Sequence, residues 1–110
     1  MQDDRVARLR ALNDTLRRHH TGGRIVVTSG LHRLGPVVLR RVLNAVATFC
    51  DFDPSNDPYA EHDFGKVTEA GLTVFFKIDY YDRNKWHRSE DPADPKRTLR
   101  VMTVMLADDY

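Results

Sequence analysis

The sequence predicts a single α+β domain over residues 1–110, with two helices packed on one face of a small, mostly antiparallel sheet of about four strands, in the order α-β-α-β-β-β. Three observations predict it. Apolar residues recur at a helical period in two segments of the first half, and beyond residue 61 the pattern changes to alternation. Two of the alternating runs are joined by a short, glycine-bearing link, which signals a hairpin. A chain of 110 residues is also of ordinary size for one domain, and no stretch is long and polar enough to divide it.

The first helix is expected over residues 3–20. Val6, Leu9, Leu12 and Leu16 form its apolar stripe. Asp3 and Asp4 stand at the positive end of its dipole, and Arg17, Arg18, His19 and His20 at the negative end. Gly22-Gly23 follows as a stop signal. Arg24–Thr28 (RIVVT) is a β-branched run and reads as a short strand. After a Ser29-Gly30 turn and a stretch of unassigned structure, Gly35-Pro36 opens the second helix. Its buried face comprises Val38, Leu39, Val42, Leu43, Val46 and Phe49. The segment 51–59 (DFDPSNDPY) carries turn chemistry. Residues 61–68 read as a strand, 69–71 as a tight link and 72–81 as its partner, in which Val74, Phe76, Ile78 and Tyr80 share one face. Residues 82–95 read as an exposed loop, and 97–106 (RTLRVMTVML) as the closing strand. The pattern leaves strand order open.

Composition narrows the function. Hydrophobic residues make up 41% and charged residues 30% of the chain, values of a soluble globular protein. No apolar run approaches the ~18 residues that cross a bilayer, so no membrane partner is expected. The N-terminal segment lacks the apolar middle of a secretory signal. The single cysteine, Cys50, excludes an internal disulfide and a multi-cysteine zinc site. A cytoplasmic, bacterial-type protein is the expectation. The net charge of +1 conceals a split. Residues 1–50 carry nine basic side chains, all arginine, against three aspartates, whereas residues 51–110 carry eight basic against thirteen acidic ones.

The densest chemistry-bearing group is Glu61-His62-Asp63 with Asp79, Tyr81 and Asp82 on the hairpin partner, followed by Glu90 and Asp91. Carboxylates with an imidazole suit a divalent cation, and His62, Asp63, Asp79 and Asp82 are the candidate ligands of a small metal-dependent hydrolase or nuclease. No spacing matches a zincin helix, an EF-hand loop or a zinc finger. The competing reading pairs these acids with Lys66, Lys77, Arg83 and Arg100. Lys77-Ile78-Asp79 reverses the order of carboxylate and lysine that a nuclease strand would need, and reads as a structural ion pair. No phosphate-binding glycine loop is present, Ser29 has no nucleophile elbow, and the end of a helix disfavours a Cys50 thiolate.

The arginines are the other lead. Arg17, Arg18, Arg24, Arg40 and Arg41, with His19, His20 and Arg33, form a patch suited to a nucleic-acid backbone or an acidic protein surface. Complementing the helix dipole is the plainer role for those in the last turn. Conversely, Asp57, Glu61, Asp82, Glu90 and Asp91 provide an acidic surface that could occupy a basic groove by mimicking nucleic acid.

The blocks RALNDTLRR, GGRIVVTSG, DPYAEHDFG, FFKIDYYD, SEDPADP and RVMTVMLADDY resemble a family of short bacterial proteins catalogued as a domain of unknown function, over about Leu9 to Tyr110. EHDFG and KIDYYD are its most distinctive strings. The resemblance implies chiefly alphaproteobacterial proteins, often borne on plasmids and other mobile elements. It suggests an accessory factor such as an inhibitor of host restriction or CRISPR systems, and it carries no catalytic residue or cofactor. The expectation is therefore a non-enzymatic binding protein with a protein partner, a host nucleic-acid-targeting defence complex, and no cofactor. The metal-dependent hydrolase and arginine-mediated nucleic-acid binding are the alternatives. Homodimerisation through an exposed edge strand is a further expectation.

Overall fold

The computed structural model describes residues 4–84 and 87–110. Asp3, in the first expected helix, and Lys85 and Trp86, in the expected loop, lie outside them. The elements are α1 (Asp4–His19), β1 (Arg24–Val27), α2 (Ser29–His32), α3 (Pro36–Thr48), β2 (Phe64–Glu69), β3 (Leu72–Tyr81) and β4 (Leu99–Leu106), with a 3₁₀ turn at Ala107–Asp109. The α+β class holds, with a third helix where the sequence pattern was silent. That helix is a single turn, too short for a hydrophobic period to register, and buries Leu31.

The four strands form one sheet in the order β1-β4-β3-β2. β2–β3 and β3–β4 pair antiparallel, and β1 pairs parallel to β4. Parallel pairing needs a crossover, and the whole of α2, α3 and the hairpin supplies it. The β2–β3 link is two residues, Ala70 and Gly71, with φ of 55° and 75°. Positive φ at both positions gives the turn a twist that matches the flanking strands. Ala70 accepts that conformation without glycine's freedom.

The core lies on one face of the sheet. Leu9 and Leu16 of α1, Leu31 of α2, and Val42 and Val46 of α3 pack on Val67, Val74, Phe76, Ile78, Tyr80, Met102 and Val104. Gly65 occupies β2 where a Cβ would lie 2.5 Å from the Phe76 ring, so the strand passes over that ring only without a side chain. Among the described residues, α1, α2 and α3 all lie on the core side; on the opposite face the 3₁₀ turn and Tyr110 pack at one end, and Val26 is 47% exposed.

Three boundaries correct the sequence reading. The strand expected from residue 61 begins at Phe64, because Ala60 and His62 have φ of 57°, incompatible with extended pairing. The closing strand begins at Leu99, after the turns that run through residue 97. The loop 82–95 is not wholly exposed: Ser89 is buried, its amide bonded to the Tyr80 carbonyl and its hydroxyl 2.7 Å from that of Thr98.

Candidate functional site

α1 turns three polar side chains inward, and they join two networks. In the first, Arg100 Nε donates to Asn13 Oδ1 (2.7 Å), and Asn13 Nδ2 donates to the Tyr80 hydroxyl (2.7 Å) and to the Glu61 carbonyl (3.0 Å). The Tyr80 hydroxyl donates in turn to Glu61 Oε1 (2.9 Å). Burial pushes the Tyr80 phenol far above its ordinary range, so it serves as a neutral donor. Burial also lowers the Arg100 pKa, and that guanidinium rests on the Tyr80 ring and donates to the Pro92 carbonyl.

The second network centres on Arg17. Its guanidinium, fully buried, donates to the carbonyls of Val46 (2.8 Å), Ala47 (3.2 Å) and Phe49 (2.6 Å) and to Asp14 (3.0 Å). It thereby caps carbonyls at the end of α3, where the intrahelical ladder runs out and the Val46 carbonyl otherwise accepts only the Phe49 amide at 3.4 Å. The Phe52 ring lies beneath it at 5.2 Å, and His62 stacks on Phe52 at 3.9 Å with the rings 5° apart. His62 Nδ1 is 2.9 Å from Asp14 Oδ1, and Nε2 is 3.7 Å from Asp57 Oδ2. The buried Asp57 carboxylate accepts the amides of Glu61 and His62, which explains the left-handed turn at His62. Arg17 Nε and Arg100 Nη1 find no hydrogen-bond partner among the described residues, and the aromatic faces beside both guanidinia offset part of that cost.

These networks redistribute the residues the sequence singled out. Arg17 leaves the arginine patch for the core, and Asp57 leaves the acidic surface. Glu61 is half-buried and tied to Tyr80. Asp79 lies 3.5 Å from Lys77, Glu90 pairs with Arg97 at 3.1 Å, and Asp91 with Arg5 at 3.0 Å. Asp82 holds the loop through its amide, which donates to the His87 carbonyl. Asp63 stands half-buried near Glu61 and Asp57; burial and then Glu61 raise its pKa, against the pull of Arg88. His62, Asp63, Asp79 and Asp82 do not converge: no three His, Cys, Asp or Glu side chains among the described residues are placed to hold a metal ion.

The remaining arginines separate by element. Arg41 points to β2 and pairs with Glu69 at 2.9 Å, and Arg24 is exposed on the edge strand β1. Arg18 and Arg40 meet across a groove between α1 and α3, of about 420 Å³, with His20, Asn44, Pro36, Leu39, Leu43 and Ala47. The groove is only partly legible in the sequence, because Leu39 and Leu43 pack against the core and also line the groove. They are half-buried, and the helical period cannot say which helix fails to cover them. Asn13 lies on the buried stripe too, four residues beyond Leu9 and three before Leu16, where a polar side chain adds nothing to an apolar period.

Among the described residues, no helix is long and apolar enough to cross a membrane. No curated protein and no solved structure matches the chain. The model of a family described as "Protein of unknown function (DUF3768)" matches residues 27–109, from β1 through the 3₁₀ turn, and by that match over most of its length the chain belongs to this family.

Proposed function

We propose that the protein is a non-enzymatic interaction module whose α1–α3 groove receives an acidic, partly apolar segment of a protein partner. One observation carries the reading. Arg18, His20 and Arg40 ring an apolar floor with no anionic partner among the described residues, whereas Arg5, Arg41 and Arg97 on the same molecule are each paired with a carboxylate. Leu34 and Val37, on either side of Gly35-Pro36 in the chain, are exposed apolar residues close in sequence to the groove residue Pro36. Unpaired guanidinia beside half-buried leucines favour a ligand that supplies both carboxylates and apolar side chains.

The polar residues best suited to chemistry support the same reading from the other side. His62, Asp57, Asp14, Glu61 and Tyr80 spend their hydrogen-bonding capacity on one another and on backbone groups. The partner proposed from the resemblance is a component of a host nucleic-acid-targeting defence complex. The test is affinity capture from cells carrying such a complex, with the wild type and with Arg18→Glu/Arg40→Glu. Capture of a defence component by the wild type and its loss in the charge-reversed variant is the expected outcome. Equal capture by both, or none by either, removes the groove reading.

A further inference from the structure

The face of the sheet opposite α1, α2 and α3 carries an ordered alternation of rings and lysines. In the β2–β3 register Phe64 stands directly opposite Lys77, and Lys66 directly opposite Phe75. All four point away from the helices, so two aromatic rings and two ammonium groups form a checkerboard on adjacent strands. Tyr110 completes it: its ring meets Phe75 at 5.4 Å and Phe64 at 6.2 Å, both edge-on, while Phe64 and Phe75 lie 5.5 Å apart. Phe64 and Phe75 are half-buried, and Tyr110 is 73% exposed.

We propose that this checkerboard is a stacking platform for single-stranded nucleic acid, with Phe75, Phe64 and Tyr110 receiving bases and Lys66 and Lys77 the phosphates between them. Every base has a π-face, so rings at this spacing serve a single strand without needing a particular sequence, and a duplex cannot offer its stacked bases to them. Charge favours this occupant over a second copy of the chain. Lys77 and Asp79 lie towards the middle of the face, 3.5 Å apart, and a dry interface between copies would have to desolvate both. A phosphate backbone takes up the lysines instead. Asp79 limits the platform to the end of the sheet that carries Phe64, Phe75 and Tyr110. The platform lies across the sheet from the core and uses no residue of the α1–α3 groove.

Fluorescence anisotropy with labelled oligothymidylate and oligouridylate of roughly ten nucleotides, and with a duplex of the same length, tests it. The expected result is single-strand binding at low salt that exceeds duplex binding. Two phosphate contacts predict a salt slope of about −1.4, which Lys66→Glu reduces by roughly half. Phe75→Leu keeps an apolar side chain on the strand and removes the stack, so affinity drops roughly tenfold while the protein stays folded by circular dichroism. Tyr110→Ala, at an exposed ring, weakens binding with no risk to the fold. Absence of single-strand binding overturns the proposal, as does binding that survives Phe75→Leu and Tyr110→Ala but is lost in Arg18→Glu/Arg40→Glu. A dimer in sedimentation that Phe75→Leu dissociates also overturns it, because a second copy would then cover the face.

Discussion

Arg17 and Arg18 are adjacent in the chain and have opposite fates. The Arg17 guanidinium is enclosed and gathers three carbonyls from the end of α3; Arg18 stands at the groove rim. Arg17→Met keeps the apolar stem, removes the donor from the Ala47 and Phe49 carbonyls, and leaves Asp14 to His62 alone. It is expected to cost about 3 kcal/mol and to lower the melting temperature by roughly 10 °C or more, whereas Arg18→Met changes stability by less than about 0.5 kcal/mol. Thermal denaturation of the two variants checks this. Asp63 yields a second prediction. Its raised pKa means that the folded state holds the proton more tightly than the unfolded chain. Stability from this group is therefore fully present below the ordinary aspartate range and is lost as pH rises through the elevated folded value. Asp63→Asn should raise the melting temperature at neutral pH, with the gain fading as pH falls through the elevated folded value and gone below the ordinary carboxylate range. A gain that is constant across pH would contradict this assignment.

At the scale of elements, the β2–β3 turn holds an avoidable strain. Ala70 sits at φ 55°, where its Cβ crowds the following carbonyl, and Gly71 follows at φ 75°. Ala70→Asn produces the Asn-Gly pair that such turns favour, and is expected to stabilise the protein by about 1 kcal/mol in chemical denaturation, without change in the far-ultraviolet circular dichroism. The turn was legible in the sequence because hairpin chemistry is local. The strand start was not. Glu61, His62 and Asp63 are three polar residues in a row and show no alternation of their own, and the Asp57 carboxylate collects the amides of Glu61 and His62 and winds the backbone away from the extended form. That interaction spans only four and five residues, yet no periodic pattern announces it. α2 was invisible for a different reason, since four residues cannot display a period.

For the molecule as a whole, the class, both long helices and the hairpin strands could be read from periodicity, which reports what each segment buries, and β1 from its β-branched run beside glycines. Pairing between distant segments could not. The arginine patch drawn from the sequence counted charges without knowing which carbonyls or carboxylates fold back on them: Arg17 was consumed by α3, Arg41 by Glu69, and Arg18 and Arg40 were left together. The same holds for the acidic residues, of which Asp57 is buried and Asp91 is held by Arg5. Net charge per half survives folding as a sum, but its surface expression is set by contacts across the whole chain.

The place of β4 in the sheet has a consequence for how the protein is made. It lies between β1 and β3, yet it follows both in the chain, and β1 has no other neighbour. During synthesis α1, α3 and the β2–β3 hairpin can form as each emerges. β1 waits, with its backbone donors and acceptors met only by water, for a partner some seventy-seven residues downstream, Arg24 for Val101 and Val27 for Val104. Native order therefore arrives in a single late step, when residues 99–106 slide between strands already present. A nascent chain interrupted before that point exposes both open edges of an unfinished sheet to chaperones, proteases and other copies of itself.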